Sequence, residues 1–394
     1  MRRWLPFFVL SALVFTACGD FGVDTTSSGA DDGPTVTVEQ AASSPDEDVP
    51  SALDNPDDDE LPEPLVNTAE IIPGGPPPDG IPAIDEPRFQ TAGAIDWLED
   101  DEPVLALEIG GEWRAYPVQI LTWHEIVNDT VAGIPVAVTY CPLCNTAIAF
   151  DRRVDGRVLD FGTSGRLYRS ALVMYDRQTE SLWTHFTGSA VAGFLTGTEL
   201  SAFPMSTVSW QDFRDLAPDG AWVLARDTGH SRDYGRNPYP GYDDTDSHPF
   251  LFEGEVDGRL AAKERIVGFK YGGEAIAVRT SELTEQRVLA VEVGGEPITV
   301  WWKPGTASAL DAGSVAAGRD VGATGVFQPT VGGRRLTFST RSGDFVDDET
   351  GSTWDIVGTA TAGPLQGQRL EAVQHVDTFW FAWAAYLPDT TIVP

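Results

Sequence analysis

The feature that most constrains this chain is a recurrence of strand-and-turn punctuation at a nearly constant offset. Val104-Leu105-Ala106-Leu107-Glu108-Ile109-Gly110-Gly111-Glu112 is echoed by Ile266-Val267-Gly268-Phe269-Lys270-Tyr271-Gly272-Gly273-Glu274. Asp176-Arg177-Gln178-Thr179-Glu180-Ser181-Leu182-Trp183 is echoed by Asp347-Asp348-Glu349-Thr350-Gly351-Ser352-Thr353-Trp354, and Gly197, Leu200 and Trp210 recur as Gly367, Leu370 and Trp380. Order kept in this way predicts two related lobes from an internal duplication, about residues 89–255 and 256–394. Val104–Ile109 and Glu112–Tyr116 read as a hairpin closed by Gly110-Gly111. Pro117–Val127 and Ser209–Leu216 read as short helices, and Ile134–Tyr140, Thr146–Phe150, Ser170–Tyr175 and Ala221–Ala225 as strands. The expected class is a β-rich α+β fold.

The lobes differ where chemistry would sit. Thr139-Tyr140-Cys141-Pro142-Leu143-Cys144-Asn145-Thr146 places a Cys-x-x-Cys turn between two apolar runs, and the chain has only 3 cysteines. Aligned with the second copy, this stretch meets Trp301-Trp302-Lys303-Pro304-Gly305, which has no thiol. The second lobe is therefore expected to be degenerate. Cys-x-x-Cys can serve as a redox pair, when a helix amino terminus lowers one thiol pKa, or as a metal knuckle that presents both sulfurs to one ion. Asn145 tolerates the left-handed region and Thr146–Phe150 reads as strand, which favours the knuckle. Cys141 and Cys144 are the expected metal ligands. The five histidines and two internal methionines are the further donors on offer, and His124 and His185 are the added ligands selected. Two thiolates with imidazole suit zinc, and copper equally if Met174 joins, although Met174 alternates with apolar neighbours and reads as core. Thiol–disulfide exchange, and a binding or scaffold module braced by a structural disulfide, remain open as alternatives.

A second region, Phe161-Gly162-Thr163-Ser164-Gly165-Arg166-Leu167-Tyr168-Arg169-Ser170, has glycines that permit close backbone approach. Ser164, Arg166 and Tyr168 are expected to line a ligand pocket there, together with Arg232 and Tyr234 from a Pro/Gly-rich loop. No phosphate-loop or dinucleotide fingerprint is present. Asp176, matched by Asp347, reads as a turn residue.

The amino terminus reads as an export signal over residues 1–17. Arg2 and Arg3 precede a short apolar run ending at Ala17-Cys18, too short to span a bilayer as a permanent helix. Small residues before a cysteine resemble the bacterial lipoprotein processing box, with Phe15 where Leu is usual. Ordinary secretion and an uncleaved anchor are the alternatives. A lipidated Cys18 would gain about 0.8 kcal/mol per buried acyl CH₂, the palmitate type of anchor. Residues 20–88 hold 18 Asp/Glu against one Arg, about half of the formal net charge of −34. Residues 18–88 are accordingly expected to be a lipidated cysteine and a disordered acidic tether. Such a charge argues against nucleic acid as a partner. The expected location is the extracytoplasmic side of the cell membrane. The membrane is a partner through the anchor, and a metal ion or an envelope protein is a possible further one.

Val138–Asn145, Phe161–Tyr168 and Met174–Trp183, continued by Arg232-Asp233-Tyr234 and Phe379-Trp380-Phe381-Ala382-Trp383, resemble an uncharacterised prokaryotic family, domain of unknown function 3179. The resemblance covers roughly residues 90–394 and implies no specific activity. Cys141 and Cys144 match the family's cysteine motif, and Asn145 stands where Gly is common in related motifs.

Overall fold

Short β-branched runs joined by glycine pairs leave little chain for helix, and the computed structural model reflects this over the residues it describes, 49–217 and 220–393. Among them the four helices α1 (Val118–His124), α2 (Trp210–Leu216), α3 (Thr280–Gln286) and α4 (Trp380–Tyr386) are each 7 residues long, about two turns. The expected α+β class is thus corrected to mainly β. The reason is local: α1 stops at His124 because Glu125 takes φ 59°, and the next residues, Ile126–Val131, pair antiparallel with Ile134–Cys141.

Among the described residues, three sheets of four or five strands and a two-stranded ribbon, Arg153–Val154 with Arg157–Val158, form the earlier part. One runs Met205–Ser209, Pro103–Ile109, Glu112–Pro117, Trp222–Leu224 and Phe89–Thr91, the fourth strand lying parallel to the third. A second runs Ala202–Phe203, Thr146–Asp151, Ile134–Cys141 and Ile126–Val131. The third runs Ile71–Pro73, Phe161–Tyr168, Ala171–Asp176, Leu182–Thr184 and Ser189–Ala192. Sheets built on Arg265–Tyr271, Glu296–Lys303 and Asp344–Asp347 follow in the later part.

The two parts do not separate into lobes at residue 255. One buried cluster joins Cys141, Cys144 and Trp183 to Phe379, Trp380 and Trp383, and another joins Trp210 and Phe213 to Trp301 and Phe327. Apolar faces from both parts therefore close these two cores together, and the aromatic residues named are buried by neighbours from both parts. The expectation of two lobes from a duplication gives way to one β body with shared cores.

The expected tether is also shorter than its composition suggested. From residue 49 onward the chain lies on the body: Ala52 is buried, Ile71–Pro73 pairs with Phe161–Tyr168, and Ile84 bridges to Val127. Most acidic side chains are exposed, while Ala52, Ile71, Ala83 and Ile84 are buried. Low mean hydropathy did not prevent docking, because an edge strand supplied backbone partners. Cys18 and the signal segment lie outside the described residues. No helix among the described residues is long and apolar enough to cross a membrane.

Candidate functional site

Cys141 ends the strand Ile134–Cys141 and is paired with Thr146 across a four-residue turn. Asn145 takes φ 53° there, the conformation expected of it. The turn is held from outside. The Cys144 carbonyl accepts from Thr146 Oγ1 at 3.2 Å, Thr378 Oγ1 at 2.9 Å and Phe379 N–H at 3.2 Å. Tyr242 Oη donates to the Leu143 carbonyl at 2.9 Å and accepts Phe250 N–H at 3.3 Å. The cysteines thus sit on a β-hairpin clamped by the later strand His375–Phe379 and by the loop that carries Tyr242.

His185 arrives from a different sheet. Leu182–Thr184 pairs with Ala171–Asp176 in the register Val173 to Thr184, which carries the next residue to the cysteine side. Leu172 joins the two: its N–H donates to Cys141 Sγ at 3.4 Å and its carbonyl accepts His185 N–H at 3.1 Å. The ligand atoms of Cys141, Cys144 and His185 all lie within 4.8 Å of one another, and all three residues are buried. Both thiols are free.

The electrostatics are uneven. Burial raises the Cys141 thiol, but the Cys144 thiol and the N–H groups of Leu172, Cys144 and Leu143 outweigh it, so Cys141 lies below its ordinary value. Burial, then the Cys141 sulfur, pushes Cys144 well above. Burial alone holds His185 down to about 3, so its ring is neutral. Neither ring nitrogen of His185 has a hydrogen-bond partner. An orphaned buried polar group costs roughly 1–3 kcal/mol, and such a group asks for an explanation.

The three convergent residues fall inside a recognisable sequence family. The chain belongs to the family described as Protein of unknown function (DUF3179), whose model matches residues 78–390. No curated protein and no solved structure matches it.

The remaining expected residues are placed elsewhere. His124 is buried away from the thiols; its Nδ1 meets the Pro82 carbonyl at 2.7 Å and its Nε2 meets Tyr234 Oη at 2.6 Å. Ser164, Arg166 and Tyr168 are engaged by the chain itself rather than by an open pocket. Phe161–Tyr168 is a strand, in which Ser164 Oγ donates to the Val173 carbonyl at 2.5 Å. Arg166 donates to the Leu53 carbonyl, and Tyr168 packs edge-on against Tyr386 at 5.7 Å. Gly165 takes φ 71°, and a Cβ there would overlap the Pro76 carbonyl oxygen. The glycine-rich stretch does permit close backbone approach, but the backbone that approaches is residues 73–80 of the same chain. Arg232 is exposed and bonds the Ser231 carbonyl at 3.2 Å.

Sequence reasoning missed Glu125. Burial first, then the charge of Cys141, push its carboxyl well above the ordinary range. Its only sequence signal was a carboxylate at the end of an apolar helix, and the positive φ that turns it inward is not readable from residue type.

Proposed function

We propose that Cys141, Cys144 and His185 bind one soft or borderline metal ion. The observation that carries this reading is His185: a neutral, fully buried imidazole with both nitrogens unpartnered, beside two free thiols. A metal bond to one nitrogen would remove part of that cost. Two thiolates and a neutral ring carry charge −2, so a divalent ion makes the buried site neutral, and uncompensated charge in a core is expensive. Of the two metals the donors suit, this favours zinc over cuprous copper. Three protein donors would leave one coordination position for a small exogenous ligand.

The test is elemental analysis of anaerobically purified protein beside Cys141→Ser, Cys144→Ser and His185→Ile variants. About one equivalent of zinc more in the parent than in each variant is the expected result. A parent protein without stoichiometric metal overturns the proposal.

Thiol–disulfide exchange is the second reading. It is favoured by two free, adjacent sulfurs, the chemical requirement for one thiol to attack and the other to resolve. Against it, Cys141 is 1% and Cys144 0% exposed, so a protein disulfide has no approach. We further propose export and lipid anchoring at Cys18, with the body held on the extracytoplasmic side of the membrane. Loss of membrane association and of palmitate labelling in Cys18→Ala is the expected result. Unchanged fractionation overturns the anchor.

A further inference from the structure

His124 is not idle where it lies. It ends α1 with no exposed surface, and a carbonyl oxygen can only accept, so the Pro82 contact at 2.7 Å places the ring proton on Nδ1. Nε2 therefore carries a lone pair and accepts the Tyr234 hydroxyl at 2.6 Å. Thr228 Oγ1 stands 2.6 Å from the same phenol oxygen, and with the Tyr234 proton committed to His124 it is Thr228 that donates. Beside this pair is His230, exposed, its ring centroid 5.3 Å from that of His124 at an interplanar angle of 47°. The His230 ring nitrogens make no hydrogen bond among the described residues. The His124 and Tyr234 centroids are 5.8 Å apart.

The geometry points to a second metal site, built from His124 Nε2, His230 and Tyr234 Oη, for a divalent transition ion of borderline softness. Two imidazoles bound to one ion at about 2.0–2.1 Å hold their ring centroids roughly 5 Å apart, which is the spacing of His124 and His230. Two neutral imidazoles and a phenol oxygen are the donor set that suits Cu²⁺ or Zn²⁺. The support such a site needs is already in place. Metal-bound histidines commonly donate their other ring N–H to a carbonyl or carboxylate, as His124 Nδ1 does to Pro82. The proton between Nε2 and the phenol oxygen would mark the ion's position. On binding, that hydrogen bond breaks, the lone pair of Nε2 goes to the metal, the phenol proton leaves to solvent, and the phenolate oxygen becomes the third ligand. Thr228 continues to donate to that oxygen. The site is independent of the buried thiols: its donors come from α1 and the loop Thr228–Tyr234, and it faces solvent through His230.

The test uses Cu²⁺ on the full chain carrying Cys141→Ser and Cys144→Ser, which removes thiol binding and thiol oxidation. One equivalent should bind, with a visible phenolate-to-copper absorption band. In the same background His230→Ala should weaken binding about tenfold or more, and Tyr234→Phe should abolish the band. His248→Ala, a histidine elsewhere on the surface, should change neither. A Zn²⁺ titration of the chain with its cysteines intact guards against misfolding of the double serine variant. There His230→Ala should lower the stoichiometry by one equivalent whether or not the thiol site takes zinc. Uptake indifferent to His230→Ala in both titrations, or no uptake by the serine variant alongside an unchanged Zn²⁺ stoichiometry, would overturn the second site without bearing on the first.

Discussion

Ile134–Cys141 and Glu296–Lys303 each follow a seven-residue helix that ends on a non-glycine residue at positive φ, Glu125 at 59° and Arg287 at 67°. Tyr140 N–H donates to the Glu125 carbonyl at 2.8 Å, and Trp302 N–H donates to the Arg287 carbonyl at 2.9 Å. One residue further on, the first strand ends in the buried Cys141 and the second in Lys303, which pairs with Asp212. Glu125 is turned inward beside the thiol, whereas the Arg287 guanidinium lies over the Trp302 ring at 4.3 Å. The adjoining turns match as closely. Asp176 accepts Thr179 N–H at 2.7 Å and Trp183 Nε1–H at 2.9 Å, and Asp347 accepts Thr350 N–H at 2.6 Å and Trp354 Nε1–H at 3.0 Å. Two residues past each tryptophan stand His185 and Ile356, both buried. The lesson is that this backbone scheme does not require an ionisable group at that point. An apolar residue fills it at Ile356, so a costly unpartnered imidazole at His185 calls for a reason beyond packing.

Replacing His185 by Ile makes the first region resemble the second at the decisive point, and carries the largest expected effect. Bound zinc should fall by about one equivalent while the metal-free protein keeps or gains stability, measured by elemental analysis and urea unfolding. An unchanged zinc content in that variant would break the contrast. Next come Gly193→Ala and Gly363→Ala. Their φ angles are 109° and 93°, and a Cβ would stand 2.6 Å from Ser181 Cα and 2.7 Å from Ser352 Cα, respectively. Each should cost about 1–3 kcal/mol of unfolding free energy, and a loss at only one of them would show that the turns are not mechanically alike.

Acid should separate the regions further. His185 and His124 are held down to about 3 and about 4, below the ordinary 6.5, by burial in both cases. The unfolded chain therefore takes up their protons first. Stability is intact above pH 6.5 and declines as pH falls toward 4. Urea midpoints of the metal-free protein should follow that limb, with a shallower fall in His185→Ile, since Ile has no proton to gain. The smallest effect belongs to Arg287→Leu, which removes the stacking on Trp302. It should cost about 0.5–1 kcal/mol and leave zinc content unchanged. A change in zinc there would tie the second region to the site.

Much of the local structure was legible. The Gly-Gly hairpin, the strands on either side of the cysteines and the two early helices follow from period-two apolar runs and turn residues, which act over a few positions. Asn145 was readable as a left-handed turn residue for the same reason. The pocket expected at Ser164, Arg166 and Tyr168 was not realised, because glycine permits close approach without saying by what, and Pro76–Gly80 lies 80-odd residues earlier in the chain. Acidic composition concealed the docking of residues 49–88, since four buried apolar residues and a short edge pairing leave almost no compositional trace.

By itself the sequence determined that two thiols would stand together, because a Cys-x-x-Cys turn between strands brings them close through local geometry alone. It also determined that residues 78–390 belong to one family. Only the tertiary structure decided which histidine joins them. His124 is 17 positions from Cys141 and His185 is 44 positions from it, yet the nearer one is carried away by α1 to Tyr234 while the farther one is delivered by strand register through Leu172. Sequence distance measures neither, because convergence of side chains is set by which strands pair and which face each residue takes.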